Sequence, residues 1–130
     1  MTEINKKIVG ITALLVHAAK LDENYTDSEK KLIKNFIKSF ENNVTQNDEI
    51  LVQAEKLESD SNQLLSFTNI IKNETEEVKF KVIENLWKII ISDKKIDQYE
   101  SNLMRRVCGL IYFPDKISGE IKLRILEKLK

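Results

Sequence analysis

One stretch occurs twice in this chain, and both copies follow a plan that suits helices and little else. Ala19-Lys20-Leu21-Asp22-Glu23-Asn24-Tyr25-Thr26-Asp27-Ser28-Glu29 returns as Ile90-Ile91-Ser92-Asp93-Lys94-Lys95-Ile96-Asp97-Gln98-Tyr99-Glu100. In each copy an apolar run at helical spacing ends at an Asp, an apolar residue follows three positions later, and a Glu seven positions later opens the next run. At one offset Leu15 aligns with Leu86, Asp22 with Asp93, Tyr25 with Ile96, Glu29 with Glu100, Leu32 with Leu103 and Phe36 with Val107. The pattern is an internal helix-turn-helix repeat. One Pro and three Gly in 130 residues leave almost no room for hairpins, so the rest of the chain is expected to be helical as well.

Apolar periodicity and turn chemistry then divide the chain into about seven helices. Ile4, Ile8, Ile11, Leu15 and Ala18, widened by Leu14, predict a first helix over 3–20. Gly10 lies inside it, where it costs about 1 kcal/mol relative to Ala, so close approach of a crossing helix is its expected use. Thr26-Asp27-Ser28-Glu29 has the form of a capping box and starts the second helix, with Leu32, Ile33, Phe36, Ile37 and Phe40 inward. Asn47 or Thr45 caps a third, over about 48–58, with Ile50, Leu51, Ala54 and Leu57 inward. Leu64, Leu65, Phe67, Thr68 and Ile71 form a short fourth. Thr75-Glu76-Glu77 starts the fifth with negative charge at its N-terminus, where the macrodipole favours it. Asp97 to Glu100 starts the sixth, Pro114 is expected to end it, and a seventh follows with Ile117, Ile121, Ile125 and Leu129 inward. The expected architecture is all-α, one domain over 1–130 with halves of about 1–73 and 74–130, packed about a pseudo-twofold axis.

Twenty-one basic and 21 acidic residues cancel, which removes the electrostatic footprint of a dedicated nucleic-acid binder. The single Cys108 excludes an intramolecular disulfide, and the first residues lead into an amphipathic run unlike a signal sequence; together these predict a cytoplasmic protein. Lys or Arg interrupts every apolar run before the ~20 residues that span a bilayer, so any membrane contact is expected to be peripheral. No P-loop, dinucleotide-binding turn, nucleophile elbow or zinc motif is present.

At the repeated stretch the sequence resembles the TerB-like family, an all-helical domain named for a bacterial tellurite-resistance protein. The second copy carries the resemblance through Leu86-Trp87, Asp93, Ile96-Asp97, Tyr99-Glu100, Leu103, Arg105-Arg106-Val107, Leu110 and Pro114-Asp115; the first agrees through Leu14-Leu15, Ala18-Ala19-Lys20, Asp22 and Glu29. The chain departs from the family's Ala-Asp-Gly turns: Leu21 and Ser92 replace the alanines, Glu23 and Lys94 the glycines. The resemblance implies a module of stress-resistance systems with no assigned reaction, related domains beside the J-domains of co-chaperones, and clustered acidic residues proposed to bind a metal.

Two sets of residues are candidates for function. Asp22, Glu29, Asp93, Asp97 and Glu100, with Asp27, offer hard oxygen ligands for Ca²⁺, Mg²⁺ or Mn²⁺; the competing role is helix capping and turn bonding. Trp87 lies off the line of Val82, Leu86, Ile89 and Ile90 and is expected half exposed, where with Arg105 and Arg106 it would anchor a protein partner. His17 and Cys108 read as structural. The function these features favour is a non-enzymatic binding or adaptor module, metal-responsive through its paired acidic turns. The alternatives are a metal-dependent hydrolase on the same carboxylates and a purely structural interaction domain. Apolar edges left unassigned on the third and last helices also suit a homodimer.

Overall fold

In a computed structural model, the described residues form seven successive helices: α1 (Glu3–Ala19), α2 (Asp27–Phe40), α3 (Asn47–Asp60), α4 (Leu64–Ile71), α5 (Glu76–Ile91), α6 (Gln98–Leu110) and α7 (Asp115–Lys128). The structure describes residues 3–20, 26–40, 47–60, 64–92 and 98–128, and no strand occurs among them. All seven helices match the periodicity in place and order.

The centre of the molecule is α1. Every residue from Ile8 to Val16 is buried, as are Ala18 and Ala19, so this helix is covered on all sides rather than along one stripe. It packs against α3, α4, α5 and α2, which together surround it. Such enclosure needs small residues where neighbours come close. A methyl at Gly10 would overlap Ile70 Cδ1 of α4, so the glycine serves the close approach its sequence position suggested. Thr12 is fully buried on the same helix, and its Oγ1 has no hydrogen-bond partner among the described residues.

The helix ends carry the expected chemistry, with one exception. Thr75 is the N-cap of α5, its hydroxyl accepting the Val78 N–H at 3.2 Å. At the other end of α5 the Ser92 N–H reaches the Lys88 carbonyl at 3.0 Å. The exception is α6, which stops at Leu110, short of Pro114. Tyr112 adopts a left-handed conformation (φ 59°), the Phe113 N–H bonds the Cys108 carbonyl at 2.8 Å, and the Tyr112 N–H bonds the Gly109 carbonyl at 3.4 Å. These two bonds form a Schellman motif with Tyr where Gly is usual. The backbone has already turned when Pro114 is reached.

The last helix closes the outer side of the bundle, packing on α5 and α6. Its Ile121 is buried, and its Ser118 meets Trp87 of α5. Because α2 also packs on α5, α2 and α7 approach the same helix.

Candidate functional site

Of the acidic residues, the structure places Glu29 most fully, and it is a cap. Its Oε1 accepts the Thr26 N–H at 2.9 Å and the Thr26 hydroxyl at 3.0 Å, while the Glu29 N–H returns a bond to Thr26 Oγ1 at 3.2 Å. This is the reciprocal capping box, and the carboxylate is buried in it. Asp27 is exposed in the first turn of α2, where its charge complements the helix dipole. Asp22, Asp93 and Asp97 lie outside the described residues, as does the side chain of Glu100. Among the described residues no group of three or more His, Cys, Asp and Glu side chains converges in a way that could hold a metal.

Trp87 corrects the expectation of a half-exposed anchor: it is 5% exposed. Its indole N–H donates to Ser118 Oγ at 2.9 Å, and Lys122 Nζ stands 5.3 Å from the ring centroid. A buried indole with its N–H satisfied joins two helices. The heptad-like line through Val82 and Leu86 marks one buried face of α5, but α7 covers a second, and Trp87 lies under it. Ser118 also bonds Cys108. Burial pushes the Cys108 thiol up, Asp115 adds to the rise, and the bond to Ser118 offsets only part of it. A buried, protonated thiol is a poor nucleophile, in keeping with its structural reading. Arg105 and Arg106 are both exposed on α6.

His17 takes part in a junction whose central residue the periodicity did not single out. Glu58 is buried on α3, its Oε2 accepting from Lys20 Nζ at 2.8 Å and its Oε1 lying 3.3 Å from His17 Nδ1. The His17 ring also packs on Phe67, with centroids 6.1 Å apart. A signal was present: Leu51, Ala54 and Glu58 fall three and four apart on the inward stripe of α3, which puts a carboxylate where an apolar residue belongs. The junction ties the C-terminal end of α1 to α3.

A concave feature among the described residues lies elsewhere, where α2 and α7 both meet α5. A cleft of about 460 Å³ is lined by Leu32 of α2, by Glu84, Lys88 and Ile91 of α5 with Ser92 just beyond it, and by Ile121, Arg124, Ile125 and Lys128 of α7. Leu32, Ile91, Ile121 and Ile125 supply an aliphatic floor. Lys88, Arg124 and Lys128 bring three cations to it against one acid, Glu84. That acid is engaged, 3.9 Å from Lys88 Nζ as an i, i+4 pair. Arg124 and Lys128 have no ion-pair partner among the described residues. The Ser92 hydroxyl is committed too, donating to the Ile89 carbonyl at 2.6 Å. On α7, Ile121, Arg124, Ile125 and Lys128 fall at spacings of three and four, so one helix face carries both the floor and the charge. That interleaving was the available signal. A purely solvated face would place the cations opposite the isoleucines.

The family model described as Tellurite resistance protein TerB matches residues 9–123. No curated protein and no solved structure matches the chain.

Proposed function

The chain belongs to the TerB family, and on that premise we propose that it is a non-catalytic binding module of a bacterial stress-resistance or envelope-linked system, working in the cytoplasm, with the cleft between α2, α5 and α7 as its binding surface. The observation that carries this reading is the unmatched charge of the cleft. Two cations, Arg124 and Lys128, stand beside an aliphatic floor with no carboxylate paired to them among the described residues. Both side chains are exposed to water at the rim, and an apolar recess with a few convergent polar groups is the common form of a binding site. The other polar groups of the cleft are occupied in ways that suit binding better than chemistry. Glu84 is held by Lys88, and the Ser92 proton is given to a backbone carbonyl.

The metal-responsive form of this function, with Ca²⁺, Mg²⁺ or Mn²⁺ at Asp22, Glu29, Asp93, Asp97 and Glu100, draws less support. Glu29 is the one member whose side chain is described, and its Oε1 already holds Thr26. The hydrolase alternative depends on the same carboxylates and shares that weakness. No helix among the described residues is long and apolar enough to cross a membrane.

The test is complementation in a bacterial strain whose tellurite survival depends on this chain. Leu32→Trp, which fills the cleft, and Arg124→Glu with Lys128→Glu, which inverts its rim, should abolish survival at unchanged protein abundance. Full complementation by both variants would overturn the assignment of the cleft.

A further inference from the structure

The geometry points to a specific class of ligand for the cleft, resting on the reading of the cleft as the binding surface: a free, single-chain anionic amphiphile, in which an aliphatic tail ends in a carboxylate or phosphate. Three properties of the lining select it. The floor is four aliphatic side chains, Leu32, Ile91, Ile121 and Ile125, with no aromatic ring on which a base or planar cofactor would stack. The polar groups beside it are engaged: Glu84 pairs with Lys88, and the Ser92 hydroxyl proton is given to the Ile89 carbonyl. The group complementary to the floor itself is an aliphatic tail. The rim selects the other end of the molecule. Arg124 and Lys128 supply positive charge unpaired among the described residues, and a guanidinium beside an ammonium suits a terminal carboxylate or phosphate, to which Arg donates two parallel hydrogen bonds.

Size selects the source. At about 460 Å³ the recess falls in the range of small-molecule sites. An amphipathic peptide helix needs a longer groove with successive anchors over two turns. A bilayer surface presents a plane of head groups and would engage exposed cations broadly, leaving a recess between three helices without a role. A free fatty anion uses both parts, its tail laid along the isoleucines of α7 and its head at Arg124 and Lys128, four residues apart on the same helix face.

The experiment is a methyl NMR titration of the intact chain, labelled at Ile and Leu, with monomeric dodecanoate below its micellar concentration. Butyrate, dodecyltrimethylammonium and phosphatidylglycerol vesicles serve as comparison probes. Saturable one-to-one shifts at Leu32, Ile91, Ile121 and Ile125 are expected with dodecanoate, at least tenfold weaker with dodecyltrimethylammonium and absent with butyrate. Arg124→Gln with Lys128→Gln should weaken dodecanoate at least tenfold while leaving the methyl spectrum of the free protein otherwise intact. Leu32→Trp should block binding by occupying the floor. Equal affinity for the anionic and cationic amphiphiles, insensitivity to the double variant, or binding to vesicles without binding to monomeric dodecanoate would each overturn the proposal. A chain that fails to bind dodecanoate, but whose cleft variants still lose complementation, has a different ligand in the same cleft. Loss of both results would remove the cleft itself.

Discussion

Two regions of this molecule place polar and charged side chains beside the core, and they treat them oppositely. At the junction of α1 and α3, Lys20 and His17 converge on Glu58, whose carboxylate is only 8% exposed. At the cleft, Arg124 and Lys128 border an aliphatic floor whose one acid, Glu84, is paired with Lys88, and they have no ion-pair partner among the described residues. Burying a carboxylate is costly unless its charge is met at close range, so the junction's partners are fixed by the fold. The cations of the cleft remain in contact with water and owe the fold nothing. The comparison separates charge used to hold helices together from charge held ready for a ligand.

Breaking the matched pair should have the largest effect. Lys20→Met leaves Glu58 with the imidazole alone, and loss of one partner of a buried pair costs about 3–5 kcal/mol when both are deeply buried. Lys20 is itself 36% exposed, so the expected loss is smaller, about 2 kcal/mol, or roughly 8 °C in Tm by thermal unfolding. Adding Glu58→Met should recover most of it, because a hydrophobic pair of similar volume replaces an ion pair at little cost. Failure of the second change to rescue the first would show that Glu58 is held by contacts other than Lys20.

Thr12 tests a third condition, a polar group that is neither matched nor wet. Its hydroxyl is fully buried without a partner among the described residues, so Thr12→Val, nearly the same shape, should stabilise the protein by about 1 kcal/mol in denaturant unfolding. An unchanged midpoint would mean the hydroxyl is satisfied in solution. Cys108 sharpens the comparison through pH. Its thiol is raised by burial, so the folded state holds that proton where the unfolded chain has begun to release it. Stability is therefore complete below the ordinary thiol range, near pH ~8.5, and falls as pH rises through it toward the raised folded value. Cys108→Ala should lose less Tm than wild type between pH 7 and pH 10. Parallel losses in the two proteins would assign alkaline destabilisation to other groups.

The smallest stability effect belongs to the cleft. Arg124→Gln with Lys128→Gln should leave Tm within the range of about 0.5 kcal/mol seen for exposed substitutions, although ligand binding is expected to fall at least tenfold. A drop as large as that of Lys20→Met would make these cations structural and erase the distinction.

Much of this was legible in the sequence, and what was not has identifiable causes. The seven helices, the capping box at Thr26 and Glu29, the cap at Thr75 and the close approach at Gly10 are local properties, set by residues within a turn or two of one another. The errors concern how many neighbours a helix has. Periodicity marked one face of α1, yet Val9, Ala13 and Val16 are buried as well, because four helices surround it. Trp87 lies off the main stripe of α5 and is buried nonetheless under α7. The cleft escaped for a related reason. Its lining comes from three helices remote in sequence, and Leu32 and Ile125, which pack on the core as their spacing indicated, also border the recess. The left-handed Tyr112 gave no sign, since Gly is the residue that announces such a turn.

The most direct measurement is the set of intermolecular nuclear Overhauser effects between bound dodecanoate and the methyl-labelled protein. Contacts from the chain protons to Leu32, Ile91, Ile121 and Ile125, with the carboxylate end nearest Arg124 and Lys128, are the predicted result. Contacts confined to scattered exposed side chains such as Val52, Leu65 and Leu123, or an inverted orientation with the carboxylate remote from Arg124 and Lys128, would contradict the account.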